Sequence, residues 1–212
     1  MRFRDRAEAG RRLAGCLAHL IPADPVVVGL PRGGVPVAAE IARELRAPLD
    51  IVLVRKVGTP HRAELAAGAV GEDGVTVRNV GVLRDLGMSW EDLAEQVDRE
   101  RAELTRRGKL LRDKGRTELG GRTVIIVDDG IATGSTVAAA LAVVRGLGAG
   151  RVVLAVPVAP ADALARLDAL ADEVVCLQSP ARFSSVGQWF QDFRQVSDGE
   201  VREILRSHHP NA

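Results

Sequence analysis

The sequence is poor in several features that mark common protein classes. It has no tyrosine, and four Phe and two Trp are its only aromatic residues, which argues against an aromatic platform for nucleic acids. Two cysteines without CxxC spacing argue against a zinc knuckle or a disulfide framework and fit a reducing compartment. No apolar run approaches the roughly 20 residues of a membrane span. The first residues, MRFRDRAEAGRRLAG, lack the apolar core of a signal peptide. Because the net charge is only +1, we expect no nucleic-acid or membrane partners. The cysteine usage leads us to expect a cytoplasmic protein.

The order of apolar runs and amphipathic segments predicts the fold class. The chain has 212 residues, enough for one domain of generous size over 1–212. The predicted strands are Pro25–Leu30, Asp50–Arg55, Arg122–Asp128, Arg151–Val158 and Glu173–Leu177, and the predicted helices are Arg4–Leu20, Val35–Leu45, Ser135–Leu147 and Ala161–Leu170. Short apolar runs bounded by Pro and Gly are typical of strands buried on both faces. We predict an α/β fold with an open, mostly parallel, twisted sheet and flanking helices.

A charged helix interrupts this alternation and is predicted as an insertion over residues 85–117. Ser89 and Asp92 have the spacing of a capping box. The apolar stripe of the helix consists of Trp90, Leu93, Val97, Leu104 and Leu111. This stripe either packs on its own domain or forms a contact in a homodimer. The basic residues of the helix are interleaved with acidic ones, which favours a solvated face over nucleic-acid binding.

The stretch VIIVDDGIATGSTVAAA, Val124–Ala140, carries the clearest functional signal. Asp128 and Asp129 end a buried strand, and open α/β sheets bind ligands outside the carboxyl ends of their strands. Carboxylates exposed there can accept hydrogen bonds from a diol or face a hydrated Mg²⁺. Gly130–Thr136 then offers backbone N–H groups, two glycines and three hydroxyls at a helix N-terminus, which suits a phosphate. The stretch has neither the lysine of a Walker loop nor a GxGxxG pattern, so we interpret it as a sugar-phosphate site.

The same stretch resembles the 5-phosphoribosyl-1-pyrophosphate (PRPP) motif of type I phosphoribosyltransferases. That motif has four apolar residues, two acids, a short spacer, Thr-Gly and a Ser or Thr. The resemblance implies that Asp128 and Asp129 bind the ribose hydroxyls. It also implies a loop around the 5′-phosphate, formed by Ile131, Ala132, Thr133, Gly134, Ser135 and Thr136. The implied cofactor is Mg²⁺, held mainly by PRPP and water, with the two aspartates as candidate direct ligands.

A second element, LPRGG (Leu30–Gly34), follows the first core strand. This is the position of the pyrophosphate loop in the family, which often contains a non-proline cis peptide; here that bond would join Pro31 and Arg32. Gly33 and Gly34 let a backbone approach anionic oxygens closely, and Arg32 adds a charge-assisted donor.

The second predicted strand ends in VRKVG, where Arg55 and Lys56 are further candidates for the pyrophosphate; for one of them, a surface charge is the alternative. Residues 56–74 are predicted as a long loop, with a hairpin around Gly71–Gly74. The segment TPHRAELAAGAVGEDG within it resembles the flexible lid of the family, and His61 is interpreted there as a solvated loop residue. With LPRGG, DDG-ATG and the helical insert, the chain is most similar to a stand-alone group of uncharacterised phosphoribosyltransferases.

The C-terminal stretch SPARFSSVGQWFQDF contains four aromatic residues. By resemblance, residues 178–195 form a small hood over the base. Phe183, Trp189 and Asp192 are the candidate hood residues, since VGQWFQDF is similar, with one extra residue, to the VGxxxD(Y/F) run of purine-salvage enzymes. The alternative is a satellite apolar cluster beneath a loop.

The resemblance implies that a nitrogenous acceptor displaces pyrophosphate at C1 of PRPP, as in nucleotide salvage. Ala132 stands where hypoxanthine-guanine enzymes carry an acid that acts as a base, so the acceptor and the catalytic base stay unassigned. Type I relatives are often dimers, which makes a homodimer a further expectation. Two other functions remain open: a regulator that senses PRPP or a nucleotide without turnover, and a receiver-like or Rossmann binding module.

Overall fold

The computed structural model describes residues 2–59, 62–113 and 115–208. Its helices are α1 (Arg6–Leu17), α2 (Gly34–Leu45), α3 (Val80–Asp85), α4 (Ala94–Leu111), α5 (Ser135–Gly146), α6 (Ala161–Asp168) and α7 (Asp198–His208). Its strands are β1 (Val26–Gly29), β2 (Leu49–Ile51), β3 (Val54–Thr59), β4 (Arg62–Gly71), β5 (Thr76–Arg78), β6 (Thr123–Val127), β7 (Arg151–Val158) and β8 (Glu173–Gln178). Over these ranges, no helix combines the length and apolar character that crossing a bilayer requires.

The main sheet has five strands in the order β2-β1-β6-β7-β8, and each neighbouring pair is parallel. The strand order reverses between β1 and β6, because the chain moves toward one edge after β1 and toward the other after β6. Open α/β sheets bind their ligands at such a switch point, outside the carboxyl ends of the strands. The predicted fold class is confirmed, and the loops after β1 and β6 flank this position.

Both faces of the central strands are covered by helices. Val27 and Ile125 are buried in the core that contains residues of α1, α2 and α7. Val28 and Ile126 point the other way, into the core that contains residues of α5 and α6. Burying such side chains stabilises a fold by about 1.5–3 kcal/mol each. The central strands therefore hold the two loops at their carboxyl ends on a rigid base.

The structure corrects the prediction for residues 50–74. The predicted strand Asp50–Arg55 is divided between β2 of the main sheet and β3 of a separate antiparallel sheet, ordered β3-β4-β5. The predicted long loop is wrong, because most of it forms strands, and only the turn at Glu72–Gly74 matches. Small residues are required there by close packing: a Cβ on Gly68 would lie 2.1 Å from the Val77 carbonyl oxygen. His61 lies outside the described residues.

The segment predicted as an insertion contains α4, which packs against β3, β4 and α7. The Ser89–Asp92 capping box is present, since the Ser89 N–H donates to Asp92 Oδ2 at 2.7 Å and the Asp92 N–H donates to Ser89 Oγ at 3.3 Å. All five residues of the apolar stripe are buried within the chain. At the end of the helix, Arg112 Nε donates to Asp50 Oδ1 at 2.7 Å, and its Nη groups bind Glu72. This burial and the Arg112 pairs fix α4 to both sheets.

Two helices, α3 and α7, were not predicted. Helix α7 begins with a capping box in which the Ser197 N–H donates to Glu200 Oε2 at 2.8 Å and the Glu200 N–H donates to Ser197 Oγ at 3.2 Å. This spacing is a readable start signal. Helix α7 packs against α2 and α4. Its first residue, Asp198, lies near the loop after β1, with Oδ1 3.9 Å from Arg32 Nη1.

Candidate active site

The loops after β1 and β6 touch each other at the switch point. The Leu30 N–H donates to the Val127 carbonyl oxygen at 2.8 Å, and the Pro31–Arg32 peptide is cis. A Cβ on Gly33 would lie 2.0 Å from Asp129 Oδ2, and one on Gly34 would lie 2.4 Å from the Val127 carbonyl oxygen. Both glycines are therefore needed for LPRGG to lie directly against the acidic pair.

The carboxyl groups of Asp128 and Asp129 are adjacent and largely buried, which disfavours their charged forms. Burial, followed by the negative charge of Asp129, raises the pKa of Asp128 well above its usual range. Burial also raises the pKa of Asp129, and the positive charge of Arg6 opposes that rise. Asp128 Oδ1 accepts a hydrogen bond from the Asp129 N–H at 2.9 Å. The pair thus requires a cation or hydrogen-bond donors to carry two negative charges.

Arg6 of α1 is a site residue that the sequence analysis missed. Its Nε and Nη2 both lie 2.8 Å from Asp129 Oδ2, and the two side chains are only 11% and 14% exposed. Its Nη1 donates to the Arg194 carbonyl oxygen at 2.9 Å, and its guanidinium lies 4.0 Å from the Phe193 ring centre. Arg6 therefore connects the acidic pair to the C-terminal segment. No local pattern identifies it, because its acidic partner is 123 residues away.

The loop after β6 has the features of a phosphate-binding turn. Gly134 has φ +77° and precedes α5, so the left-handed backbone there favours glycine. Thr133 Oγ1 and Ser135 Oγ are 3.2 Å apart, and Lys56 Nζ donates to Ser135 Oγ at 3.1 Å. The exposed residues Ala132 and Thr136 lie in the same turn. Two hydroxyls, an ammonium group and a helix N-terminus meet here.

Three predicted site residues are placed differently from the prediction. Ile131 is buried and its N–H already donates to the Val158 carbonyl oxygen at 2.9 Å, so this residue anchors the loop. Lys56 lies beside the Ser135 hydroxyl. Arg55 Nε donates instead to Glu100 of α4 at 2.6 Å. The divergence of Arg55 and Lys56 has a simple cause, since successive side chains of a strand point to opposite faces.

The predicted hood forms an apolar cluster on the N-terminal segment. Phe190 is buried against Phe3, with ring centres 5.4 Å apart, and the Phe3 N–H donates to the Trp189 carbonyl oxygen at 2.8 Å. Phe193 stacks on Phe190 and also contacts Arg6, so it is the aromatic residue linked to the acidic pair. Of the other candidate hood residues, Phe183 is half-buried and Asp192 is exposed, with its Oδ1 accepting from the Arg194 N–H.

The phosphoribosyl transferase domain family matches residues 7–191. The chain belongs to this family. Two curated relatives from Mycobacterium tuberculosis, strains CDC 1551 / Oshkosh and H37Rv, are each named "Putative phosphoribosyl transferase" and are 50% identical over 208 residues. The match covers 98% of this chain and 47% of each relative, so the chain spans about half the length of the curated relatives it matches. A crystal structure of TT1426 from Thermus thermophilus is 48% identical, with a TM-score of 0.90 over 98% of this chain and 99% of that one.

In this phosphoribosyl transferase domain, a cavity of about 360 Å³ lies between LPRGG, the acidic pair and the C-terminal segment. Its walls are Arg6, Arg32, Gly33, Asp129, Phe193, Gln195 and Val196. It lies between the candidate pyrophosphate loop and Asp129, and the Phe193 ring forms part of its wall.

Proposed function

We propose that the domain is an Mg²⁺-dependent phosphoribosyltransferase that uses PRPP, and that a nitrogenous base displaces pyrophosphate at ribose C1. The observation that carries the proposal is the meeting of two loops and strand β3 at one switch point. LPRGG lies against Asp129, the phosphate-binding turn follows the acidic pair, and β3 brings Lys56 to that turn. Family membership supports the same reaction class.

Each part of PRPP has a matching set of groups. We assign the ribose hydroxyls to Asp128 and to Oδ1 of Asp129, because Arg6 uses Oδ2. We assign the 5′-phosphate to the backbone and hydroxyls of residues 132–136, aided by the Lys56 ammonium group. The pyrophosphate falls to Arg32 and the backbone of Gly33 and Gly34.

The residues present fit Mg²⁺ held mainly by its substrate. The acidic pair offers the hard oxygen ligands that this ion prefers, and Mg²⁺ usually keeps several waters and binds through one or two carboxylates and substrate phosphates. Among the described residues, no group of three or more His, Cys, Asp and Glu is arranged to hold a metal. When bound, Mg²⁺ would neutralise charge on the pyrophosphate.

The chain contributes mainly positioning and charge. A reaction at C1 of an activated sugar has an oxocarbenium-like transition state, as in glycoside chemistry. The carboxylates orient the ribose, the phosphate-binding turn fixes its other end, and Arg32 stabilises the negative charge of the departing pyrophosphate. The acceptor would approach through the cavity that ends on Phe193.

The free thiols of the chain, Cys16 and Cys176, fit a cytoplasmic setting.

Calorimetry with PRPP, with and without Mg²⁺, tests the proposal. We expect Mg²⁺-dependent micromolar binding to the wild-type chain and none to the double variant Asp128→Asn/Asp129→Asn, with the variant still folded by circular dichroism. Equal binding by both would contradict the assignment. Pyrophosphate release should then be measured across purines, pyrimidines and other nitrogenous acceptors. Binding without release for any acceptor would favour the alternative, a regulator that senses PRPP or a nucleotide.

A further inference from the structure

A second cavity, of about 420 Å³, also borders LPRGG and shares Arg32 with the first. It is lined by Pro31, Arg32, Glu103, Arg106, Arg107 and Asp198. Three parts of the fold meet there: the candidate pyrophosphate loop, helix α4 and the first turn of α7. Nearly every lining side chain is charged, and the guanidinium groups outnumber the carboxylates by one. The α4 segment that the sequence analysis left without a function therefore reaches the candidate site.

The three arginines of this cavity differ in how well they are paired. Arg106 forms a bidentate salt bridge with Glu103, in which Nε and Nη2 each lie 2.8 Å from a carboxylate oxygen. Arg32 and Arg107 instead share one oxygen, Asp198 Oδ1, at 3.9 and 3.7 Å from their nearest nitrogens. Both distances exceed a hydrogen bond. Within the described part of the chain, Asp198 Oδ1 is buried and has no hydrogen-bond partner.

Two guanidinium groups thus converge on a single oxygen that neither of them hydrogen-bonds. Arginine binds phosphate oxygens in pairs through its planar fork of N–H donors. A terminal phosphate group has three oxygens and can therefore accept hydrogen bonds from both guanidinium groups. The single carboxylate oxygen of Asp198 accepts none from either of them here. The half-buried position of Arg107, 23% exposed, would strengthen such contacts relative to the open surface.

We propose that Arg107 of helix α4 is a pyrophosphate-binding residue that acts together with Arg32, and that Asp198 is a loosely paired carboxylate that competes with the pyrophosphate for both guanidinium groups. The proposal rests on the proposed function, since it assigns the pyrophosphate to LPRGG. It gives the helical segment a role in substrate binding: α4 supplies a cation to the leaving group from outside the parallel sheet.

The test compares Arg107→Ala with wild type for three ligands: Mg²⁺-pyrophosphate, PRPP and ribose 5-phosphate. We expect roughly tenfold to hundredfold weaker binding of the first two, as for losing hydrogen bonds between charged groups. Ribose 5-phosphate, which lacks the pyrophosphate, should bind as it does to wild type. The matched control is Arg101→Ala on the same helix, whose guanidinium donates to Thr76 Oγ1 at 3.0 Å; it should bind all three ligands unchanged.

Asp198→Asn provides a second variant with the opposite expected sign. Removing the competing carboxylate should tighten pyrophosphate binding several-fold at low salt, with no change for ribose 5-phosphate. Wild-type-like pyrophosphate binding by Arg107→Ala, or an equal loss for ribose 5-phosphate, would overturn the inference while leaving the PRPP site intact. If wild type bound neither PRPP nor pyrophosphate, the proposed function itself would fall, and the inference with it.

Discussion

Replacing Arg6 by alanine should destabilise the fold more than the loss of an ordinary surface arginine. Arg6 has two N–H groups on Asp129 Oδ2, each at 2.8 Å, and both side chains are almost entirely buried. Alanine would leave the Asp129 carboxylate buried beside Asp128 without its cation. It would also remove the contact with the Phe193 ring and the hydrogen bond to the Arg194 carbonyl oxygen.

The loss of unfolding free energy in Arg6→Ala depends on the Asp129 carboxylate that remains buried after the change. Breaking a buried ion pair by removing one member costs about 3–5 kcal/mol, because the other charge stays desolvated. For a domain of this size, each kcal/mol lowers Tm by about 2–4 °C, so we expect a fall of about 6–20 °C. In an Asp129→Asn background, Arg6→Ala leaves no charged Asp129 side chain behind, and it removes an Arg6 cation that has already lost that partner. The same Arg6→Ala change should then cost only about 1–2 kcal/mol, for the ring contact and one hydrogen bond.

The assay is urea unfolding of wild type, the two single variants and the double variant, which together give the coupling free energy of the pair. Arg11→Ala is the matched control, since Arg11 lies on the same helix and forms an exposed pair with Glu40 at 3.2 Å; it should cost at most about 1 kcal/mol. The reasoning is refuted if Arg6→Ala costs no more than Arg11→Ala. It is also refuted if the Arg6 and Asp129 changes are additive.

Three further predictions concern the loops and helix α7. Gly34→Ala places a methyl 2.4 Å from the Val127 carbonyl oxygen and should lower the free energy of unfolding by about 1–3 kcal/mol in urea; unchanged stability would contradict the close approach. Lys56→Ala should weaken ribose 5-phosphate binding about tenfold in calorimetry and leave pyrophosphate binding intact, because its ammonium group lies on Ser135; equal losses for both would be the opposite result. The pKa of Glu200 is lowered to about 2 from 4.5, first by the backbone hydrogen bond at the helix start. Its charged form therefore stabilises the fold at neutral pH, and this contribution is lost as pH falls from about 4.5 toward 2. The Tm difference between wild type and Glu200→Gln should shrink over that range, and a constant difference would contradict it.

The sequence predicted the parts of the fold that depend on local pattern. The strand at Val26–Gly29 and the helix from Ser135 are visible because apolar runs end at Gly, Pro or small hydroxyl residues. The second sheet was missed because β4 is rich in Ala and Gly, which have low strand propensity. Those small residues are explained by packing against Trp90 and Val143, which lie elsewhere in the chain.

The same distinction between local pattern and distant contacts applies to the candidate site. The acidic pair and LPRGG were identified because each is a contiguous motif after a strand. Arg6 and the two residues of the proposed pyrophosphate contact, Arg107 and Asp198, were not singled out because each is an ordinary charged residue of a helix. Their candidate roles depend on contacts with residues that are distant in the sequence and close in the fold.

The order of synthesis gives the Arg6 contacts a further consequence. Arg6 bonds to the backbone of Arg194, 188 residues later, and Phe3 is buried against Phe190. At about 5–20 residues per second, a ribosome takes roughly 10–40 s to make the intervening chain. During that time the apolar face of α1 has emerged but the C-terminal segment that covers part of it has not. Arg6, which braces the acidic pair, is therefore made well before the C-terminal segment that completes its environment.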